Sequence, residues 1–190
     1  MLRDWQSRHP SLEVSLLEFP HRRALQDAAR DGAGDIAIGS QPEAWSGPVQ
    51  QLGWEELVLV LPDRDPHLEL EAVELELLSD RRWVHYARSS GLSEVVDICC
   101  ATAGFSPRVA VRTSQVAAAP SFAAAGIGPA LVPEHIVPTA LRRLVRPASP
   151  RPVRAVCAFA RDQWTPLTQA FLDTLHNFPW GPKPPNALDL

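Results

Sequence analysis

The chain has 190 residues, 45% of them hydrophobic and 21% charged, enough apolar material for one large core or two smaller lobes. Its 18 Lys and Arg against 22 Asp and Glu leave a net charge of −4, which argues against a nucleic-acid-binding surface. No apolar run approaches the roughly 18 residues needed to span a bilayer, no basic-then-apolar leader opens the sequence, and Cys99, Cys100 and Cys157 fit neither a disulfide framework nor a metal-ligand spacing. The expectation is a cytoplasmic protein with no metal, no cofactor and no membrane partner.

Residues 2–9 have apolar positions at helical spacing and stop at Pro10. Leu12, Val14 and Leu16 then alternate with Glu13 and Ser15, the period of a half-buried strand. Helical spacing returns through Ala24, Leu25, Ala28 and Ala29 and ends at Gly32. Residues 35–39 read as a buried parallel strand. After a polar loop over 41–48, residues 56–61 carry the strongest strand signal, ended by Pro62.

Trp83-Val84-His85-Tyr86 is a further strand, and Ser89-Ser90-Gly91 leads into a helix over 92–103 that Gly104 caps. Val109 and Val111 mark a strand, with Thr113 or Ser114 as N-cap of a helix running to Ala125. Pro120 falls inside that helix, so it is either kinked there or begins later. Residues 129–133 and 153–159 read as strands, 166–178 as an amphipathic helix, and the rest as a loose tail. Alternating helix and strand patterns predict an α/β fold.

The phrases RHPSLEVSLLE, ALQDAARDGAGDIAIGSQP, EELVLVLPDRDPHL, SSGLSEVVDICCATAGFSPRVAVRTS, AAGIGPALVPEHIV and PLTQAFLDTLHNF stand in the order and spacing of one family. Together they resemble the effector-binding domain of LysR-type transcriptional regulators, over nearly the whole chain. The resemblance implies a two-lobed fold like type 2 periplasmic binding proteins, with two crossover strands as hinge and a small-molecule site in the cleft. It places lobe I at residues 1–62 and 158–180, lobe II at 63–157, and a flexible tail at 181–190. It also implies that the winged helix-turn-helix, and with it DNA contact, stands outside these residues, as does the usual first strand. Such domains pair as homodimers; here the pairing surface would be Leu2, Trp5 and residues 12–17 of one chain against residues 92–103 of the other.

A small anionic effector needs backbone N–H groups at helix N-termini. Ser89, Ser90, Gly91, Thr113 and Ser114 stand at two such places, and Gly39-Ser40 and Gly126 complete the expected ligand-binding set. A helix cap explains each serine equally well, and a plain turn explains Gly39-Ser40. His85, Tyr86 and Arg88 have the chemistry of a carboxylate pocket, though packed core is the commoner fate of such a strand. Cys99 and Cys100 read as buried structural thiols. The cluster Arg142, Arg143, Arg146, Arg151 and Arg154 lacks interleaved aromatics and reads as a solvated loop or a domain contact. The leading function is therefore a ligand-sensing regulatory domain without catalytic residues. The alternatives are a stand-alone solute-binding protein, or a hydrolase-like enzyme with Ser89 or Cys99 as nucleophile, for which no histidine stands in a nucleophile-elbow context.

Overall fold

The computed structural model describes residues 2–177 and 180–190. Its helices are α1 (Leu2–Arg8), α2 (Arg22–Arg30), α3 (Gly91–Thr102), α4 (Ala119–Ala124) and α5 (Pro166–His176). Its strands are β1 (Ala37–Ser40), β2 (Val49–Val60), β3 (Val73–Glu74), β4 (Arg82–Tyr86), β5 (Arg108–Thr113), β6 (Ala130–Pro133), β7 (Val145–Ser149), β8 (Arg151–Phe159) and β9 (Ala187–Asp189). The class is mixed α/β, as the alternating patterns imply. The chain divides into two compact units, Met1–Trp54 with Ala155–Pro182 and Glu55–Arg154 with Lys183–Leu190. β2 and β8 each contribute to both units and are neighbours in the strand order β1-β8-β2-β7-β3.

In the first unit β1 pairs with β8 antiparallel, Ala37 opposite Phe159 and Ser40 opposite Val156. The expected parallel strand is thereby corrected: a short apolar run closed by glycine carries no information about strand direction. α2 opens at His21, whose Nδ1 accepts from the Ala24 N–H at 3.1 Å, and packs Leu25 and Ala29 against Ala37, Phe159 and Trp45. A second cluster gathers Leu52, Ala158, Leu172 and Leu175. Trp5 of α1 is buried and lies edge-on to Phe171 of α5, with ring centroids 5.1 Å apart. It covers its own unit's core, which removes it from the expected pairing surface. Residues 12–17 form no strand. Leu16 and Leu17 are 70% and 63% exposed; alternation supplies a side-chain pattern, but a strand also needs a backbone partner, and none is present among the described residues.

The second unit has one continuous core. The second half of β2 is paired on one edge with β6 and on the other with β7, so Leu57, Leu59, Val60 and Leu61 are wholly buried. β4 and β5 form a separate parallel pair. The Trp83 Nε1–H donates to the Leu78 carbonyl at 3.2 Å, and the Tyr86 hydroxyl to the Leu131 carbonyl at 3.0 Å.

Buried Asp65 follows β2 and binds His67 Nδ1 at 2.8 Å and Arg81 Nη2 at 2.7 Å. Burial pushes this carboxyl up, but hydrogen bonds from His67 and Arg81 outweigh that and hold it below its ordinary range.

α4 begins at Ala119 with Pro120 in its first turn, after a 3-10 turn over Val116–Ala118. The helix expected from Ser114 therefore starts later: proline has no N–H to donate and is tolerated only where the first turn needs none. The C-terminal residues are not a loose tail throughout. β9 runs parallel to β8, Ala187 opposite Arg151, and Leu188 and Leu190 pack against the core. Of the helix read over 166–178, Phe178 lies outside the described residues.

Candidate functional site

Parallel strands deliver their connecting loops to one edge, and the carboxyl ends of such strands are the habitual ligand side of α/β folds. Here Tyr86 and Thr113 are register partners at the carboxyl ends of β4 and β5. Ser89-Ser90-Gly91 follows the first and Ser114 the second, so the two serine segments are brought together at one end of this pair. The Ala87 N–H donates to the Thr113 carbonyl at 2.8 Å, and the Ser90 N–H to the Ala87 carbonyl at 2.8 Å. This closes a turn that delivers Ser90 as N-cap of α3. The Ser90 Oγ accepts from the Leu92 N–H at 3.3 Å, which leaves its own proton to donate elsewhere. Ser89 is exposed, and Arg88 beside it is exposed as well.

The hydroxyls at the end of β5 behave differently. Thr113 Oγ1 donates to the Gln115 carbonyl at 3.1 Å and accepts from the Gln115 N–H at 3.0 Å. Its hydrogen-bonding capacity is spent on its own turn. Ser114 is exposed and caps no helix.

Gly126 stands elsewhere. Its φ of +87°, the bond from its N–H to the Ala123 carbonyl and that from Ile127 N–H to Phe122 carbonyl close the end of α4. A Cβ on nearby Gly128 would stand 1.7 Å from the carbonyl oxygen of Arg82, the first residue of β4. This places Gly126 toward the opposite end of a strand about 13 Å long. Gly39 and Ser40 belong to the first unit, where Gly39 lies beneath Leu25 of α2.

The carboxylate pocket expected from His85, Tyr86 and Arg88 does not form. His85 and Tyr86 are both buried, because β4 is covered on both faces and its consecutive side chains are core. Arg112 Nη1 donates to the Tyr86 carbonyl at 2.8 Å and lies 2.9 Å from His85 Nδ1, while His85 Nε2 lies 3.1 Å from Asp97. With Nδ1 accepting from Arg112, Nε2 carries the proton and donates to Asp97. This chain ties α3, β4 and β5 behind the serine turn. Sequence reasoning missed it, because its members are 12 and 27 residues apart.

Burial pushes the thiols of Cys99 and Cys100 up to about 12 and raises that of Cys157, so all three are held as inert thiols. The arginine cluster is committed within its own unit, to Glu134, Asp63, Glu56, Glu55 and backbone carbonyls. Among the described residues no group of His, Cys, Asp and Glu is placed to hold a metal ion, and no helix is long and apolar enough to cross a membrane.

Residues 1–179 match the family described as the LysR substrate binding domain. The chain belongs to that family. No curated protein matches the sequence. Among solved structures, the domain is similar to the regulatory domain of CcmR from Synechocystis PCC6803 in complex with 2-PG, at 22% identity and a TM-score of 0.79 over 92% of this chain and 87% of that one. It is similar to an OxyR mutant from Porphyromonas gingivalis, at 16% identity and a TM-score of 0.79 over 99% and 91%. The effector binding domain of QuiR in complex with shikimate matches at 17% identity and a TM-score of 0.72 over 93% and 87%. At these identities the likeness concerns the fold, which is the periplasmic-binding-protein-like α/β fold of LysR regulatory domains.

Proposed function

We propose that this LysR domain senses a small anionic effector at the N-terminus of α3 and has no catalytic role. The observation that carries this reading is the turn over residues 87–90. It places the Ser90 hydroxyl, with its proton uncommitted, and the first N–H groups of a 12-residue helix at the carboxyl ends of a parallel strand pair. Ser89, Ser90 and Gly91 are the contacts; Thr113 shapes the neighbouring turn and Ser114 lies beside it. The ligands named with CcmR and QuiR, 2-PG and shikimate, support the choice of a small effector. Against an enzyme speak the raised thiols and the hydrogen bonds of the described residues, in which no histidine meets a serine hydroxyl or a cysteine.

In the full regulator the domain pairs as a homodimer in the cytoplasm, and DNA is reached through a helix-turn-helix distinct from residues 1–179. The effector acts by favouring one of two dimer geometries, as far as its affinities for them differ. A thermal-shift screen of small carboxylates, aromatic acids and phosphorylated acids tests the reading. An acid raises the melting temperature in proportion to the logarithm of its concentration, and its neutral amide does not. Ser90→Ala abolishes the shift while costing about 1 kcal/mol of stability as a lost cap. Shifts produced only by uncharged compounds, or unchanged by Ser90→Ala, would contradict it.

A further inference from the structure

Beyond residue 179, where the family match ends, the chain continues as a segment anchored at both of its ends. Trp180 packs on the cluster of Leu172 and Leu175, and its indole N–H donates to the Leu175 carbonyl at 2.7 Å. It lies so close over Gly53 that a Cβ on that glycine would stand 2.3 Å from the Trp180 Cβ. Gly181 then bridges Trp54 in antiparallel fashion. All of these contacts belong to the first unit.

The far end of the segment belongs to the second unit. β9 lies along β8, with Ala187 opposite Arg151 and Asp189 opposite Val153. The Arg151 N–H donates to the Asn186 carbonyl at 2.9 Å, and the Leu190 N–H to the Val153 carbonyl at 3.0 Å. Leu188 and Leu190 pack against the large core, and Lys183 Nζ meets Asp189 Oδ2 at 2.7 Å. The strand that β9 grips is itself fixed: Arg151 sets Nε and Nη2 on the two oxygens of Glu56, at 2.7 and 2.6 Å.

The two anchorages stand beside the points where the chain changes unit. β2 leaves the first unit between Trp54 and Glu55, and β8 returns to it between Arg154 and Ala155. The C-terminal segment makes a third passage, between Pro182 and Lys183. It is held at Trp54, the last residue before the first passage, and at Val153, just short of the second. A hinge works by concentrating its backbone rotation in a few residues. A further connection anchored on both sides of those residues limits how far they turn.

We propose that residues 180–190 form a strap that limits the movement of the two units about β2 and β8. The strap thereby sets which arrangements of the units are populated when an effector arrives. It holds whichever effector the domain binds, and it stands or falls separately from the α3 site.

Pulsed EPR on the full chain tests the strap without a ligand. Spin labels go to Arg23→Cys, where the native side chain is 89% exposed, and to Ala101→Cys at an exposed position of α3. Cys99, Cys100 and Cys157 are buried and stay unlabelled. The chain with its native C-terminal segment sets the reference width of the distance distribution. Four glycines inserted between Pro182 and Lys183 keep both anchorages and add up to about 13 Å of slack. The distribution then broadens about twofold, as a flexible linker replaces a short one. Leu188→Asp, which frees β9 from the core, broadens it as much. Amide exchange reports the state of each variant: Arg151 and Leu190 stay protected in the insertion and lose protection in Leu188→Asp, while β4 and β5 stay protected in both. An unchanged width in the insertion variant, or in Leu188→Asp with the Leu190 amide exchanging freely, overturns the strap. Free exchange of the Leu190 amide in the native chain shows β9 detached in solution and overturns it as well.

Discussion

The second unit gathers Leu57, Leu59, Trp83, Tyr86, Leu131 and Leu144 into one continuous core, with β4 covered on both faces. The first unit divides its apolar residues between a cluster around Phe159 and another around Leu172 and Leu175, and it leaves Leu16 and Leu17 in solvent. The contrast bears on function. A ligand group is held to within a fraction of an ångström only if the residues beneath it are locked. Ser90 stands on the unit whose core is continuous, and the chain from Asp97 through His85 and Arg112 to the Tyr86 carbonyl fixes the turn from behind. The unit with the divided core carries Gly39 and Ser40.

The comparison breaks most readily at Trp83. Trp83→Ala removes a wholly buried ring that is hydrogen-bonded to Leu78, and costs about 4 kcal/mol in urea unfolding. Amide exchange in the variant should rise across α3, β4 and β5 and stay unchanged around Phe159. An equal rise in both units would mean that they unfold as one and that the contrast has no energetic content.

A smaller effect, of about 3 kcal/mol, is expected for Asp65→Ala, which leaves Arg81 without its buried partner. Because folding depresses the Asp65 carboxyl, its contribution is complete above the ordinary carboxylate range. It is lost as the pH falls through the folded value. The stability gap between the wild type and Asp65→Asn should therefore be constant above about pH 5 and narrow below it. A gap that widens on acidification would reverse the assigned sign.

The smallest effect belongs to the first unit's exposed segment. Leu16→Ser with Leu17→Ser changes stability by less than about 0.5 kcal/mol, since both side chains already stand in water. A loss above 2 kcal/mol by urea unfolding would show that these leucines are covered in solution.

Elements framed by local chemistry were legible. The Ser90 cap and Gly104 delimit α3 to within a residue, and the apolar run over 57–61 announces the buried half of β2. Elements that depend on a distant partner were not. The alternation over 12–17 reads as a strand and lacks a neighbour, whereas Ala187–Asp189 reads as tail and finds one in β8. Pro120 was a correct warning whose resolution, a later start for α4, depended on the packing of Ala119 and Ala123. Within the site, the serines were found because caps are local. The five arginines from Arg142 to Arg154 look alike in sequence, because carboxylates that tell three of them apart lie 80 to 99 residues away.

The most direct test of the central claim is a crystal structure of the chain grown with an acid selected by thermal shift. The account predicts its carboxylate or phosphate oxygens within hydrogen-bond reach of the Ser90 hydroxyl and the Gly91 and Leu92 N–H groups. An acid seated instead in the open groove beside Leu68, Leu70 and Pro147, or within the first unit alone, with the α3 N-terminus bare, would contradict it.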